Sequence, residues 1–150
     1  MVNTLLSVSP DGRIALSGSD EKYIAALGDG TAKPGDAVGK VGATGKVVQC
    51  DIGVSELFTG FLMANRSDSI SPNTAIGNGV PCTIVVPKSG HDYACLSIAD
   101  AGVRPAGTPM GFSATPGALD DIATLGTAGV VATLAKDDVI ADTYVVITWK

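Results

Sequence analysis

This chain is short of almost everything that carries chemistry. Of its 150 residues one is histidine, three are cysteine and 5% are aromatic. Lys and Arg number 10 against 15 Asp and Glu, the charged fraction is 17% and the net charge is −5. Each shortage excludes something. The basic residues form no run and the pI is near 4.6. Direct binding of nucleic acid needs clustered Lys and Arg on phosphates, so this balance disfavours nucleic acid as a direct partner. The same charge balance argues against adhesion to anionic membranes. Cys50, Cys82 and Cys95 are odd in number and lack CxxC spacing. They make no secreted disulfide framework and, among apolar neighbours, read as buried reduced thiols. One histidine with three dispersed cysteines makes no zinc pattern. No apolar run approaches the length of a membrane span. The first residues carry no basic n-region, and Asp11 and Arg13 interrupt any apolar stretch, so no signal peptide is expected and synthesis is expected in the cytoplasm. Few aromatics also argue against a sugar-binding cleft, which needs rings for stacking.

The remaining chemical candidates are weak. His91 stands in Lys88-Ser89-Gly90-His91-Asp92-Tyr93. A Ser-His-Asp triad would use it as base, but Ser89 and Asp92 are too near in sequence to serve it from a tight turn. Gly45-Lys46 superficially suggests a phosphate loop, yet Val47 stands where Ser or Thr is needed and a strand pattern follows instead of a helix. Asp120-Asp121, Asp137-Asp138 and Asp142 match no EF-hand loop and read as solvated loop carboxylates. Asp51, Glu56 and Asp100 lie beside apolar runs and are the acids to check for a glycosidase pair. No catalytic residue, cofactor or metal site is expected.

What is abundant is glycine, 19 residues, and it is patterned. Gly35, Gly39 and Gly45 recur as Gly107, Gly111 and Gly117, a shift of 72 positions. Each set frames a turn, a short strand and a turn. Each is followed by a glycine-opened apolar stretch, from Gly60 and from Gly129, and each unit closes on a β-branched strand, 82–86 and 144–148. β signals dominate throughout. Strands are expected at 4–8, 14–16, 23–27, 37–41, 47–51, 57–64, 83–86, 93–98, 109–112, 130–134 and 143–149, with 22–27 open between strand and helix. Asp-Gly, Asn-Gly and Pro-Gly pairs punctuate them with the positive φ that tight reversals need. Residues 117–125 have helical spacing and read as a two-turn helix or an irregular loop. The expected fold is all-β, a small barrel or sandwich with little helix, built from two pseudo-repeated halves at 33–91 and 104–150. Residues 1–32 are expected to form an N-terminal hairpin or arm.

A mean hydropathy of +0.33 with so little charge predicts that apolar surface is buried against other chains. Leu5, Leu6, Val8, Ile14 and Leu16 are the residues expected to carry an intersubunit arm.

The layout resembles the small head decoration, or cement, proteins of tailed bacteriophages. The matching phrases are Lys33-Pro34-Gly35-Asp36-Ala37-Val38 and Gly60-Phe61-Leu62-Met63-Ala64. In the second half they are residues 106–115 and Gly129-Val130-Val131-Ala132. The resemblance is one of pattern, from Lys33 to the C-terminus, and brings no catalytic residues. It implies a structural virion protein without enzymatic activity, on the outer surface of a capsid. Its partners would be the major capsid protein and itself, as a homotrimer. The alternative is a ligand- or carbohydrate-binding β module such as a tail or baseplate component.

Overall fold

The computed structural model describes residues 13–17, 20–63, 74–97, 104–121, 129–137 and 144–150. Among these, ten strands form two five-stranded sheets. The first contains β1 (Lys22–Leu27), β2 (Ala37–Lys40), β3 (Val47–Gln49), β4 (Phe58–Leu62) and β5 (Pro81–Val86). The second contains β6 (Asp92–Leu96), β7 (Pro109–Phe112), β8 (Leu119–Asp121), β9 (Ala132–Leu134) and β10 (Tyr144–Trp149). A 3-10 turn, Ser55–Leu57, precedes β4. All pairings within the sheets are antiparallel.

The two sheets repeat one topology. Their orders are β1-β5-β4-β2-β3 and β6-β10-β9-β7-β8, so each strand of the first has a counterpart in the second. The register repeats as well. Val38 pairs with Gln49 and Gly60, and 72 positions on Met110 pairs with Asp121 and Ala132. Leu62 faces Ile84 as Leu134 faces Ile147. Each sheet also curls so that its outer strands approach, through the parallel bridges Leu27 to Lys46 and Ser97 to Leu119. The repeated turns match. Gly35 and Gly107 have φ of 92° and 89°, a region that L side chains enter only at a cost. Their N–H groups donate to Leu62 O and Leu134 O.

Strand alternation explains the core. Successive side chains point to opposite faces, so Ala37, Phe61 and Val85 enter the core shared by both sheets, while Val38, Leu62 and Ile84 enter a second apolar cluster private to the first. The repeat units extend beyond the expected limits. β1 falls within the stretch read as an arm, and β6 falls between the expected halves. Residues 119–121, read as helix or loop, are β8, because Gly111 and Met110 of β7 offer Asp120 and Asp121 ladder partners.

Candidate functional site

The side chains capable of chemistry gather at the seam between the sheets. Glu21, just before β1, has a fully buried side chain. One carboxylate oxygen meets His91 Nδ1 at 2.5 Å and the other accepts from Tyr93 Oη at 2.7 Å. Tyr93 Oη in turn accepts from Lys88 N at 2.8 Å. Burial, and then the bond to Glu21, push the Tyr93 phenol well above its ordinary value. Next to this cluster, Lys88 Nζ lies 2.6 Å from Asp20 Oδ2 on the exposed surface, and the Lys88 hydrogen bond lowers the Asp20 carboxyl. His91, the only histidine, is thereby held by a carboxylate that crosses from one half to the other. Ser89 is exposed on the turn, and Asp92 accepts from Thr148 Oγ1 at 2.7 Å. The structure shows no hydrogen bond from either to the imidazole.

A second group lies where the Gly35 turn meets the second sheet. Asp36 is fully buried. Its Oδ2 accepts from Lys33 N at 3.0 Å and Gln49 Nε2 at 2.7 Å, and its Oδ1 has no hydrogen-bond partner among the described residues. Burial pushes this carboxyl up to about 6. Tyr144 Oη donates to Pro34 O at 2.6 Å, and burial raises that phenol too. Ala37 N donates to Gly117 O and Gly117 N to Cys50 O. A Cβ on Gly117 would lie 2.8 Å from Asp36 Cγ, and one on Gly35 would lie 2.5 Å from Tyr144 Cε1.

The aromatic rings close the seam. Phe58 and Phe61 of β4 contact each other and, across the seam, Phe112, Trp149 and Tyr93, with ring centroids 5.0–5.8 Å apart. Phe61 and Phe112 are buried, and Phe58 and Trp149 partly buried, in this packing. Pairs of this geometry add about 0.5–1.5 kcal/mol each beyond area burial.

The other expected residues fall as follows. Asp120 and Asp121 are buried strand residues, not solvated loop carboxylates. Arg104 Nη1 is 3.6 Å from Asp120 Oδ1, and Nη2 donates to Ser97 Oγ at 3.0 Å. An unpaired buried carboxylate is costly, and Asp120 enters the interior beside the Arg104 cation. Asp137 accepts from Ala106 N; Asp138, Asp142 and Asp100 lie outside the described residues. Asp51 accepts from Gly53 N and Val54 N as a turn former, and Glu56 is exposed. Gly45-Lys46 forms the β2–β3 reversal and the bridge to Leu27. The cysteines are free and buried, and burial raises all three thiols, Cys50 to about 11. Among the described residues no group of three His, Cys, Asp or Glu could hold a metal ion, and no helix is long and apolar enough to cross a membrane.

Of the arm residues, Leu5, Leu6 and Val8 lie outside the described residues. Ile14 is fully buried in the shared core and Leu16 packs against it. Ala15 bridges Tyr93, Leu16 N donates to Asp92 O, and Ala94 N donates to Ile14 O. Residues 14–16 therefore cover the outer edge of β6 in their own chain. Sequence reasoning missed Glu21, Asp36 and Arg104. Their only signal is a charge set beside apolar strand residues.

No protein-family model matches this chain, and no curated protein is detectably similar to it in sequence.

Proposed function

We propose that this protein is a structural component of a virus particle, a decoration or cement protein that bridges major capsid proteins on the outside of a tailed-phage head and catalyses no reaction. The observation that carries the reading is the seam. Two repeated β units are locked together by rings, a buried carboxylate cluster and backbone bonds, so the groups best able to do chemistry are consumed in making a stiff body. A protein that resists pressure across capsomer joints needs that stiffness. It also needs a low-charge surface able to be buried against other chains, which the composition supplies. Many copies around symmetry axes make weak individual contacts effective. The alternative sugar-binding reading needs exposed rings, and Tyr23, 52% exposed, is the one strongly exposed ring among the described residues.

The test is particle composition and endurance. Purified heads are expected to carry the protein in hundreds of copies, in the order of one per capsid subunit or local three-fold, and heads lacking it should break at lower temperature or on chelator treatment. Equal endurance of the two kinds of head, with a monomeric protein holding a ligand, would replace this reading with the binding module.

A further inference from the structure

The internal repeat makes one structural omission visible. On β6 the outward-facing Asp92 C=O and Ala94 N–H are taken by residues 14–16, and Leu96 N–H by Gly35 O. Matching β1 to β6 through their ladders to β5 and β10 places Tyr23 on Asp92, Ala25 on Ala94 and Leu27 on Leu96. The same groups face outward on β1. Gly28 N donates to Val80 O, which sets the even-numbered residues of β1 toward β5 and the odd-numbered ones away from it. Leu27 N–H is taken by Gly45 O. Ala25 C=O is taken by Lys40 Nζ at 2.8 Å. Tyr23 C=O and Ala25 N–H, the counterparts of the two groups filled on β6, have no strand across them among the described residues. Tyr23 is 52% exposed and Ala25 is exposed. An open edge of this kind is a template for a further strand.

A Leu-Ser-X-Ser pattern that starts at the last residue filling the slot on β6 also occurs upstream. Leu16-Ser17-Gly18-Ser19 is preceded, ten positions earlier, by Leu6-Ser7-Val8-Ser9. In the docked copy Ser17 Oγ accepts from Asp92 N at 2.6 Å, a role open to Ser7. Residues 1–12 end at Arg13, where the docked stretch begins, and the exposure of Tyr23 and Ala25 leaves the β1 slot open to a visitor. We propose that the edge of β1 receives residues 4–8 of a second copy of this chain as an added antiparallel strand. Such a contact joins unlike surfaces, arm to slot, and closes into a ring where the rotation between copies allows, otherwise running on as an open filament. The inference rests on the self-association expected from the sequence and not on attachment to a capsid.

Two variants of the full protein separate arm from slot. Ala25→Pro removes the outward N–H of an edge strand, where proline is tolerated. Deleting residues 2–9 removes the arm and keeps the docked residues 14–16. By sedimentation the parent protein is expected to be an oligomer, each variant a cooperatively melting monomer, and their mixture a one-to-one heterodimer formed by the arm of Ala25→Pro in the slot of the deletion variant. If Ala25→Pro does not fold, a synthetic peptide of residues 2–9 should bind the deletion variant and not the parent oligomer. A monomeric parent, an oligomer that survives either change, or a mixture that stays monomeric overturns the proposal. Head binding is measured separately: monomers that still stabilise heads would sink the arm contact and leave the capsid role standing. A monomeric parent whose head binding is lost in Ala25→Pro would give the slot to a capsid strand instead.

Discussion

The two halves share a strand order and a register, yet they fill the same positions with opposite chemistry. In the first, Ala32 is fully buried in an apolar cluster with Val38, Val47, Leu62 and Ile84. Seventy-two positions on stands Arg104, also buried, and the partly buried Val48 and Gln49 give way to the buried Asp120 and Asp121. The ladder hydrogen bonds are main-chain bonds and do not distinguish the two sets. One backbone plan therefore accepts either Ala32 with Val48 and Gln49 or the ionic Arg104 with Asp120 and Asp121. The turns differ in the same way. Gly35 packs against Tyr144, whereas a Cβ on Gly107 would meet nothing within 4 Å. The halves thus meet through unlike parts, the Gly35 turn of one against the Gly117 turn of the other.

That contrast can be broken most severely at the ionic filling. Arg104→Ala removes the cation beside the buried Asp120 carboxylate and should cost about 3–5 kcal/mol in urea unfolding. Giving the second half the residues of the first, Arg104→Ala with Asp120→Val and Asp121→Gln, should recover much of the loss. A triple variant no better than the single one would show that the two fillings are not interchangeable.

The seam comes next. Phe61→Ala removes a fully buried ring that contacts Phe58, Tyr93 and Trp149, at about 3–4 kcal/mol. Thr133, its counterpart by register, is only partly buried, and Thr133→Ala should stay within about 0.5–1 kcal/mol. Equal losses at the two positions would contradict a seam confined to one face of each half.

The paired glycines give a finer measure. Both occupy positive φ, so Gly107→Ala should cost about 1–2 kcal/mol from the backbone alone. Gly35→Ala adds the collision with the Tyr144 ring, roughly 1–3 kcal/mol more. The difference between their melting curves isolates the contact.

The pH dependence of Asp36 gives a further contrast between the halves. Burial raises its carboxyl from an ordinary 3.8 to about 6. Between these values the unfolded chain releases the proton and the folded one keeps it. Stability is therefore full below about pH 4 and falls as pH rises to about 6, by about 2–3 kcal/mol at most. Asp36→Asn should flatten that window, and an unchanged slope would assign the proton to another group. Thr108, the counterpart of Asp36, does not titrate, so the second half contributes no matching term.

Much of this was legible in residues. Gly35 and Gly107 read as one turn seen twice, and both adopt positive φ. The strand at 109–112 was read at its full length from alternation alone. The Asp120-Asp121 pair was misread, since two adjacent acids at helical spacing look solvated until a distant cation is brought to them. Ile14 and Leu16 were recognised as apolar and exposed to recruitment, but nothing local could say that the recruiter is β6 of their own chain.

The sequence alone determined the β class, the places where the chain reverses and the presence of two similar units. These follow from φ preferences and a period of two, both set by neighbours a few residues apart. Tertiary structure alone decided which face of each strand joins the shared core, that five of the aromatic rings meet at one seam, that Glu21 holds His91 and Tyr93 from the other half, and that among the described residues β6 has its edge covered while β1 does not. Those outcomes depend on which distant surfaces meet, and alternation, which gives a strand two faces, carries no information about what lies against either.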